Sequence, residues 1–144
     1  MWSEYGQFTF REVSEQVNKV GNALTRLGIG FGECVAILCP DRPEWVSTFF
    51  ATAKIGGVAL GMNTMLSTEE YDYIFKDARV SVLVICENLV SLVEPILSNH
   101  KMLTKVIVIG AKENANYTSF ANWINDEDTK LEAAQTHRDD FCSL

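Results

Sequence analysis

The sequence predicts an α/β protein with three layers, in which helices cover both faces of a mostly parallel sheet. Short, continuous apolar runs recur near residues 34–39, 58–61, 81–86 and 105–109. Such runs are typical of strands that are covered on both faces. Stretches with helical periodicity lie between them, and strands that alternate with helices form a parallel sheet.

The first helix is predicted over residues 10–27. It opens on a capping box, in which Thr9 accepts a hydrogen bond from the amide of Glu12 and the Glu12 side chain reaches back. Gly28 then follows as a left-handed C-cap. The helix carries one apolar stripe with spacings of three and four residues, which we expect to be buried: Phe10, Val13, Val17, Val20, Leu24 and Leu27.

The stretch from Cys34 to Asn63 predicts a βαβ unit, and the rest of the chain is organised around it. Pro40 and Asp41 end its first strand, and Asp41 is expected to cap the following helix. Pro43 suits the first helical turn, where its missing N–H has no partner in any case. Gly56 and Gly57 end the helix, and a second apolar strand follows. Such a crossover makes two parallel strands.

The second half of the chain repeats this pattern. A second capping box, Ser67 to Glu70, opens a helix with Tyr71 and Phe75 on its apolar face. Asn88 is expected to cap a helix that runs to about Leu97, which Pro95 must kink or divide. After the last predicted strand we expect a short helix near residues 117–125 and an acidic loop at 125–130. A helical turn near 130–135 and a new strand at 141–144 are expected to follow.

The composition indicates an ordinary soluble domain. The chain has 144 residues, of which 47% are hydrophobic and 22% charged, and this length corresponds to one domain. The formal net charge of −7 argues against nucleic acid and anionic membranes as partners. The longest apolar runs are too short to span a bilayer. Met1 to Glu4 lacks the basic start and apolar run of a signal peptide, so a cytoplasmic location is expected.

Cysteine and histidine do not predict a metal site. Cys34, Cys39 and Cys86 fall in predicted buried strands, where a reduced thiol behaves as a small hydrophobic side chain. Metal or redox use of the cysteines is the alternative, but neither these three nor Cys142 form a C-x-x-C pair. The two histidines, His100 and His137, have no partner at ligand spacing.

Familiar catalytic motifs do not occur in the sequence. Gly28 to Gly32 is glycine-rich but precedes a strand, so it is interpreted as a connecting turn and not as a phosphate-binding loop. There is no G-x-x-x-x-G-K-[ST] motif and no G-x-S-x-G motif. Asp139 and Asp140 are interpreted as a lead-in to a strand, and Trp45 as a packing anchor. We therefore predict no catalytic residue and no metal ligand.

The ordered motifs nevertheless resemble one family. Five stretches are together similar to the N-terminal part of the adenylate-forming (AMP-binding) acyl- and aryl-CoA synthetases. They are TFREVSEQVNKVGNAL, LGIGFGECVAIL, PDRPEWVSTFFATAKIGGV, NTMLSTEEY and KDARVSVLVI. KVIVIG, Thr118 to Phe120 and Asp139-Asp140 extend the likeness over roughly residues 8–144. Within the superfamily, the stretch from Asn63 to Ile85 most resembles the benzoate-CoA ligase branch.

The resemblance implies an ATP-dependent ligase that adenylates a carboxylic acid, by analogy an aromatic one, and transfers it to CoA. ATP, Mg²⁺ and CoA are the implied cofactors of the parent enzyme. In the family, a strand like Phe141 to Leu144 runs into a Ser/Thr/Gly-rich phosphate loop. Residues 1–144 are therefore expected to be a partial N-terminal domain truncated before that loop, a fragment of the large domain that is inactive alone and binds none of the three cofactors.

Asn63 is the single candidate for cofactor binding. In relatives, the loop that resembles residues 63–67 passes near bound CoA and often reads Asn-Pro-Arg, in which the Arg can meet a phosphate. Here Thr64 and Met65 replace Pro and Arg, so a phosphate contact cannot be carried over. The alternative for Asn63 is a hydrogen bond within its own turn, which is common for Asn.

Two other functions stay open at this stage. One is a free-standing flavodoxin- or receiver-like binding domain, which would need a phosphate loop or an acidic cluster at a strand end. The other is a structural interaction module with a partner-binding patch. The sequence leaves open which acid is used, and whether the protein forms a homo-oligomer.

Overall fold

The computed structural model describes residues 9–110 and 117–133, together with the backbone of residues 2–3 and 6–7. Its centre is a five-stranded parallel sheet, whose strands are β3 (Cys34–Leu38), β4 (Val58–Gly61), β5 (Val80–Cys86), β6 (Lys105–Ile109) and β7 (Thr118–Ser119). Their order in the sheet is β4-β3-β5-β6-β7. A separate antiparallel pair consists of β1 (Trp2–Ser3) and β2 (Gly6–Gln7). The predicted α/β class and the four long strands are confirmed.

Helices cover both faces of this sheet, as predicted. One face carries α1 (Phe10–Arg26), α2 (Pro43–Lys54) and α5 (Phe120–Ile124), and the other carries α3 (Thr68–Ala78) and α4 (Val90–Val93). Successive strand residues point to opposite faces, so each strand supplies both cores. In β3, Val35 and Ile37 join the first core, whereas Ala36 and Leu38 join the second. This is why the strands are continuously apolar.

Helix α1 begins as predicted but buries less than predicted. The Thr9–Glu12 capping box is present, and Gly28 has the left-handed φ of +86° expected just after the helix. Phe10, which was placed in the buried stripe, is 94% exposed, so that prediction is wrong. It lies beside an open apolar groove of about 660 Å³ between α1 and α2. The stripe is buried at Val17, Val20 and Leu24, where α1 lies over the sheet, and only partly buried at Val13 and Leu27.

The N-terminus of α2 differs from the prediction. Arg42, not Asp41, occupies the cap position, and it makes no capping hydrogen bond with its side chain. Pro43 opens the helix as expected, so one of the amides that would need a cap is absent anyway. Glu44 lies in the first turn, where its charge favours the helix dipole. The predicted packing role of Trp45 fits its stacking on Phe49, with ring centroids 5.2 Å apart.

The segment after β5 is divided into three short pieces. A 3₁₀ turn (Glu87–Leu89) leads into α4, and a second 3₁₀ helix (Glu94–Asn99) follows. Asn88 lies inside the first turn, so its predicted role as a helix cap is wrong. Pro95 stands at the start of the second 3₁₀ helix, which confirms the predicted division.

The last described segment is held against α1 by side-chain amides. Asn18 donates to the carbonyl of Thr129 at 2.8 Å, and Asn22 donates to the carbonyls of Asp128 and Lys130 at 2.9 and 3.0 Å. These bonds satisfy backbone groups that belong to no helix or strand. The short helix near 117–125 is present as β7 followed by α5, but residues 130–133 form no helical turn. The strand predicted near 141–144 lies outside the described residues.

Candidate functional site at the carboxyl edge of the sheet

The order of the strands marks one place on the sheet as a candidate site. From β3 the chain crosses through α2 to β4 on one side, and it then returns through α3 to β5 on the other side of β3. The connections after β3 and β5 therefore leave the sheet in opposite directions and open a crevice between these strands. Ligands of open parallel sheets bind in such a crevice, outside the carboxyl ends of the strands.

An ion pair lies beside this crevice, in the turn that follows β3. The guanidinium of Arg42 donates from Nε to Glu44 Oε2 at 3.3 Å, and from a terminal nitrogen to Oε1 at 3.5 Å. Both side chains are about three-quarters buried, so the pair is less screened by water than a surface pair would be. The N-cap and the first turn of α2 thus place one positive and one negative charge at the carboxyl edge.

Two thiols meet at the same place. Cys39 directly follows β3 and Cys86 ends β5, and their Sγ atoms lie 2.7 Å apart. The hydrogen bond to Cys86, together with burial, raises the pKa of Cys39. The same hydrogen bond lowers the pKa of Cys86 to about 7, and the nearby Arg42 guanidinium acts in the same direction, against burial and Glu44. The hydrogen bond between the two sulfurs therefore favours a state in which one of them is protonated and the other is a thiolate.

Sequence analysis missed this pairing. It correctly predicted buried, unbridged thiols at Cys34, Cys39 and Cys86. The signal that was available is positional, because Cys39 and Cys86 both end predicted strands. Only the order of the strands shows that these two strands are neighbours. Cys34 lies at the opposite end of β3 in the second core, where burial raises the pKa of its thiol to about 11.

Asn63, the predicted candidate, lies in the exposed loop after β4. Its side-chain oxygen accepts a hydrogen bond from the amide of Met65 at 2.8 Å, which is the local turn that was considered as the alternative. The buried Tyr71 binds the backbone of the same loop. Its hydroxyl donates to the carbonyl of Asn63 at 2.7 Å and accepts from the amide of Leu66 at 3.3 Å. Burial raises the pKa of Tyr71, so the hydroxyl stays protonated at neutral pH.

We expect Tyr71→Phe to lower the free energy of unfolding by about 1 kcal/mol, because two backbone groups of the loop lose their partner. Water can reach this exposed loop and recover part of the loss. Urea denaturation measures the effect. The matched control is Tyr73→Phe on the same helix, which is 70% exposed and should change stability by less than about 0.5 kcal/mol. Equal values for the two variants would contradict the anchoring role of Tyr71.

Among the described residues, the remaining titratable candidates do not assemble into a metal site. His100 packs edge-on against Phe75, and its Nε2 lies 2.7 Å from Asp72 Oδ1. Within residues 9–110 and 117–133, no three His, Cys, Asp or Glu side chains come together in a group that could hold a metal ion. His137, Asp139, Asp140 and Cys142 lie outside the described residues. In the described part of the chain, no helix is both long and apolar enough to cross a membrane.

Comparison with known proteins identifies the family. The family described as "AMP-binding enzyme" matches residues 1–144, which is the whole chain. The chain belongs to this family. Membership removes the flavodoxin- or receiver-like alternative.

Proteins of the AMP-binding family that are similar to this chain include two aryl-CoA ligases. The chain is 31% identical over 138 residues to a benzoate–CoA ligase of Thauera aromatica. It is 30% identical over 133 residues to a 3-hydroxybenzoate/4-hydroxybenzoate–CoA ligase of the same organism. The predicted resemblance to the benzoate-CoA ligase branch is thereby confirmed.

Solved structures share the fold of this chain. The anthranilate CoA ligase AuaEII, in complex with anthranoyl-AMP, superposes with a TM-score of 0.97 and 46% identity over 99% of this chain. A benzoate CoA ligase from Burkholderia xenovorans shares the fold, with a TM-score of 0.86 and 22% identity. The chain spans about a quarter of the length of these proteins: 26% and 25% of the two Thauera ligases, and 28% of AuaEII.

Proposed function

We propose that this chain is the N-terminal part of an AMP-forming ligase that joins an aromatic carboxylic acid to CoA. The acid first reacts with ATP to give an acyl-adenylate and pyrophosphate. The acyl group then passes to the thiol of CoA, and AMP leaves. The observation that carries the proposal is the likeness to AuaEII, which was solved with anthranoyl-AMP and is 46% identical to this chain over an alignment that covers 99% of the chain.

Within such an enzyme, we assign this chain the role of a scaffold. ATP, Mg²⁺ and CoA would bind to the longer protein, which we place in the cytoplasm. The loop at Asn63 does not fit a CoA phosphate, because residues 61–70 contain no Lys or Arg and include Glu69 and Glu70. The one side-chain oxygen of Asn63 is also engaged by Met65. We therefore assign no step of the reaction to this loop.

A chimera tests the proposal. The segment of AuaEII that superposes on residues 1–144 would be replaced by this chain, and pyrophosphate release and CoA thioester formation would be measured with ATP, Mg²⁺ and anthranilate. We expect the chimera to form the thioester. We also expect neither the isolated chain nor AuaEII without this segment to do so.

Two results would contradict the proposal. A chimera that has the circular dichroism spectrum and melting behaviour of AuaEII, but releases no pyrophosphate with anthranilate or benzoate, would show that the chain cannot serve in an aryl-CoA ligase. Thioester formation by the isolated chain would show that it is more than a scaffold.

A further inference from the structure

The thiols of Cys39 and Cys86 are placed for a covalent bond. Strands β3 and β5 are parallel neighbours in which Leu38 pairs with Ile85, and the next pair in this register is Cys39 with Cys86. Neighbouring strands lie roughly 4.7–4.9 Å apart. This spacing falls within the Cα separations of roughly 4.4–6.8 Å that disulfides bridge. The two Sγ atoms are already in contact at 2.7 Å, so a bridge needs no rearrangement of the sheet.

The two sulfurs are also chemically different. Cys86 shares its environment with the Arg42 guanidinium, which is held in place by Glu44. The hydrogen bond with Cys39 and the positive charge of Arg42 both lower the pKa of Cys86, to about 7, and so favour its thiolate. Cys39 keeps its proton, because the same contact raises its pKa. A nucleophilic thiolate next to a protonated thiol is typical of reactive cysteine pairs.

Access to this pair is limited to small molecules. Cys39 is 4% exposed and Cys86 is 2% exposed. The residues that directly follow them, Pro40 and Glu87, are both exposed, so each sulfur lies one residue from solvent at the carboxyl edge. A compact oxidant needs only a small opening of these two turns, whereas a protein thiol would need a much larger one.

We propose that Cys39 and Cys86 are a redox-active pair, which a hydroperoxide converts into a disulfide that links β3 to β5. The Cys86 thiolate attacks the terminal oxygen of the hydroperoxide and the O–O bond breaks. The alkoxide that leaves takes up from solvent one proton, equal to the one that Cys86 lost on ionising, and departs as an alcohol, or as water if the oxidant is hydrogen peroxide. Cys86 is then a sulfenic acid. Cys39 attacks its sulfur, the S–S bond forms, and the hydroxyl group leaves with the Cys39 proton as water. Two thiols and one hydroperoxide thus give one disulfide, one alcohol and one water.

Mass spectrometry of the 144-residue chain tests this proposal. The chain would be treated with hydrogen peroxide in Cys142→Ser form, alkylated and digested. We expect a peptide that links Cys39 to Cys86 and is lost after reduction, while Cys34 stays alkylatable. Cys34 is the internal control, because it is equally buried but has a pKa of about 11. We expect Cys86 to react at least ~10-fold faster than Cys34 at pH 7, since the thiolate is the reactive form.

Two variants separate the steps. In Cys39→Ser the resolving thiol is missing, so the sulfenic acid of Cys86 should persist and be trapped by dimedone. In Cys86→Ser neither the disulfide nor the dimedone adduct at residue 39 should form. The reaction rate should rise with pH around a midpoint near 7, which is set by Cys39, Arg42 and Glu44 around the Cys86 thiol.

The wild-type result does not depend on whether either variant folds. The proposal would be overturned if Cys39 and Cys86 stayed unlinked in the folded chain and Cys34 were oxidised as fast as Cys86. Linkage that appears only in urea would overturn it as well, because the bond would then come from the unfolded chain and not from this site.

Discussion

Replacing Phe75 with alanine is expected to lower the free energy of unfolding by about 3–5 kcal/mol. Phe75 is 1% exposed and lies at the centre of the core between α3 and the sheet, where it also packs edge-on against His100. The substitution removes the whole ring and leaves a cavity that the rigid sheet cannot fill. Natural domains have a total stability of roughly 5–15 kcal/mol, so this one change removes a large share of it.

Thermal and urea denaturation measure this effect. For a chain of this length, the loss corresponds to a decrease in melting temperature of roughly 6–20 °C. The matched control is Tyr73→Ala, which removes an aromatic ring from the exposed side of the same helix and should change stability by less than about 0.5 kcal/mol. Similar losses for the two variants would mean that α3 does not pack on the sheet through Phe75.

Gly57→Ala is expected to destabilise the protein by about 1–3 kcal/mol, because the added methyl group has no room. A Cβ at this position would lie 2.9 Å from Thr52 Cγ2, 3.2 Å from the carbonyl oxygen of Glu33 and 3.3 Å from that of Thr52. Both carbonyls are already bound, to the amides of Val58 and Gly57 respectively, so they cannot move without loosening the start of β4.

Gly30→Ala provides the matched control with the opposite sign. No heavy atom lies within 4 Å of a Cβ at Gly30, and its φ is not in the left-handed region. Alanine there restricts only the unfolded chain, so we expect a gain of about 0.4–1 kcal/mol. Urea denaturation of both variants gives the comparison. A gain in stability for Gly57→Ala would contradict the close contact at the end of α2.

Local signals in the sequence predicted most of the secondary structure correctly. The two capping boxes, Thr9–Glu12 and Ser67–Glu70, form as predicted, because their partners are three residues apart and meet whenever the helix begins. The apolar runs at 34–39, 58–61, 81–86 and 105–109 become strands, because in this layered fold each strand is covered on both faces.

The wrong predictions share one physical cause. Each was predicted only from residues that are nearby in sequence: a helix cap at Asp41, a helix cap at Asn88 and burial of Phe10. The structure places the cap of α2 at Arg42, begins a 3₁₀ turn before Asn88, and leaves Phe10 beyond the part of α1 that lies over the sheet. In each case, the packing of the segment against the sheet decided where the helix begins or what it buries, and a local pattern does not contain that information.

The sequence by itself determined the α/β class, the capping boxes and the resemblance to the AMP-binding enzymes, because these depend on short spacings and on ordered motifs. Only the tertiary structure decided which strands are neighbours. The return of the chain from β4 across β3 to β5 brings together Cys39 and Cys86, which are 47 residues apart in sequence. The hydrogen bond between their sulfurs, the charge of Arg42 beside them and the crevice in which they lie all follow from that strand order.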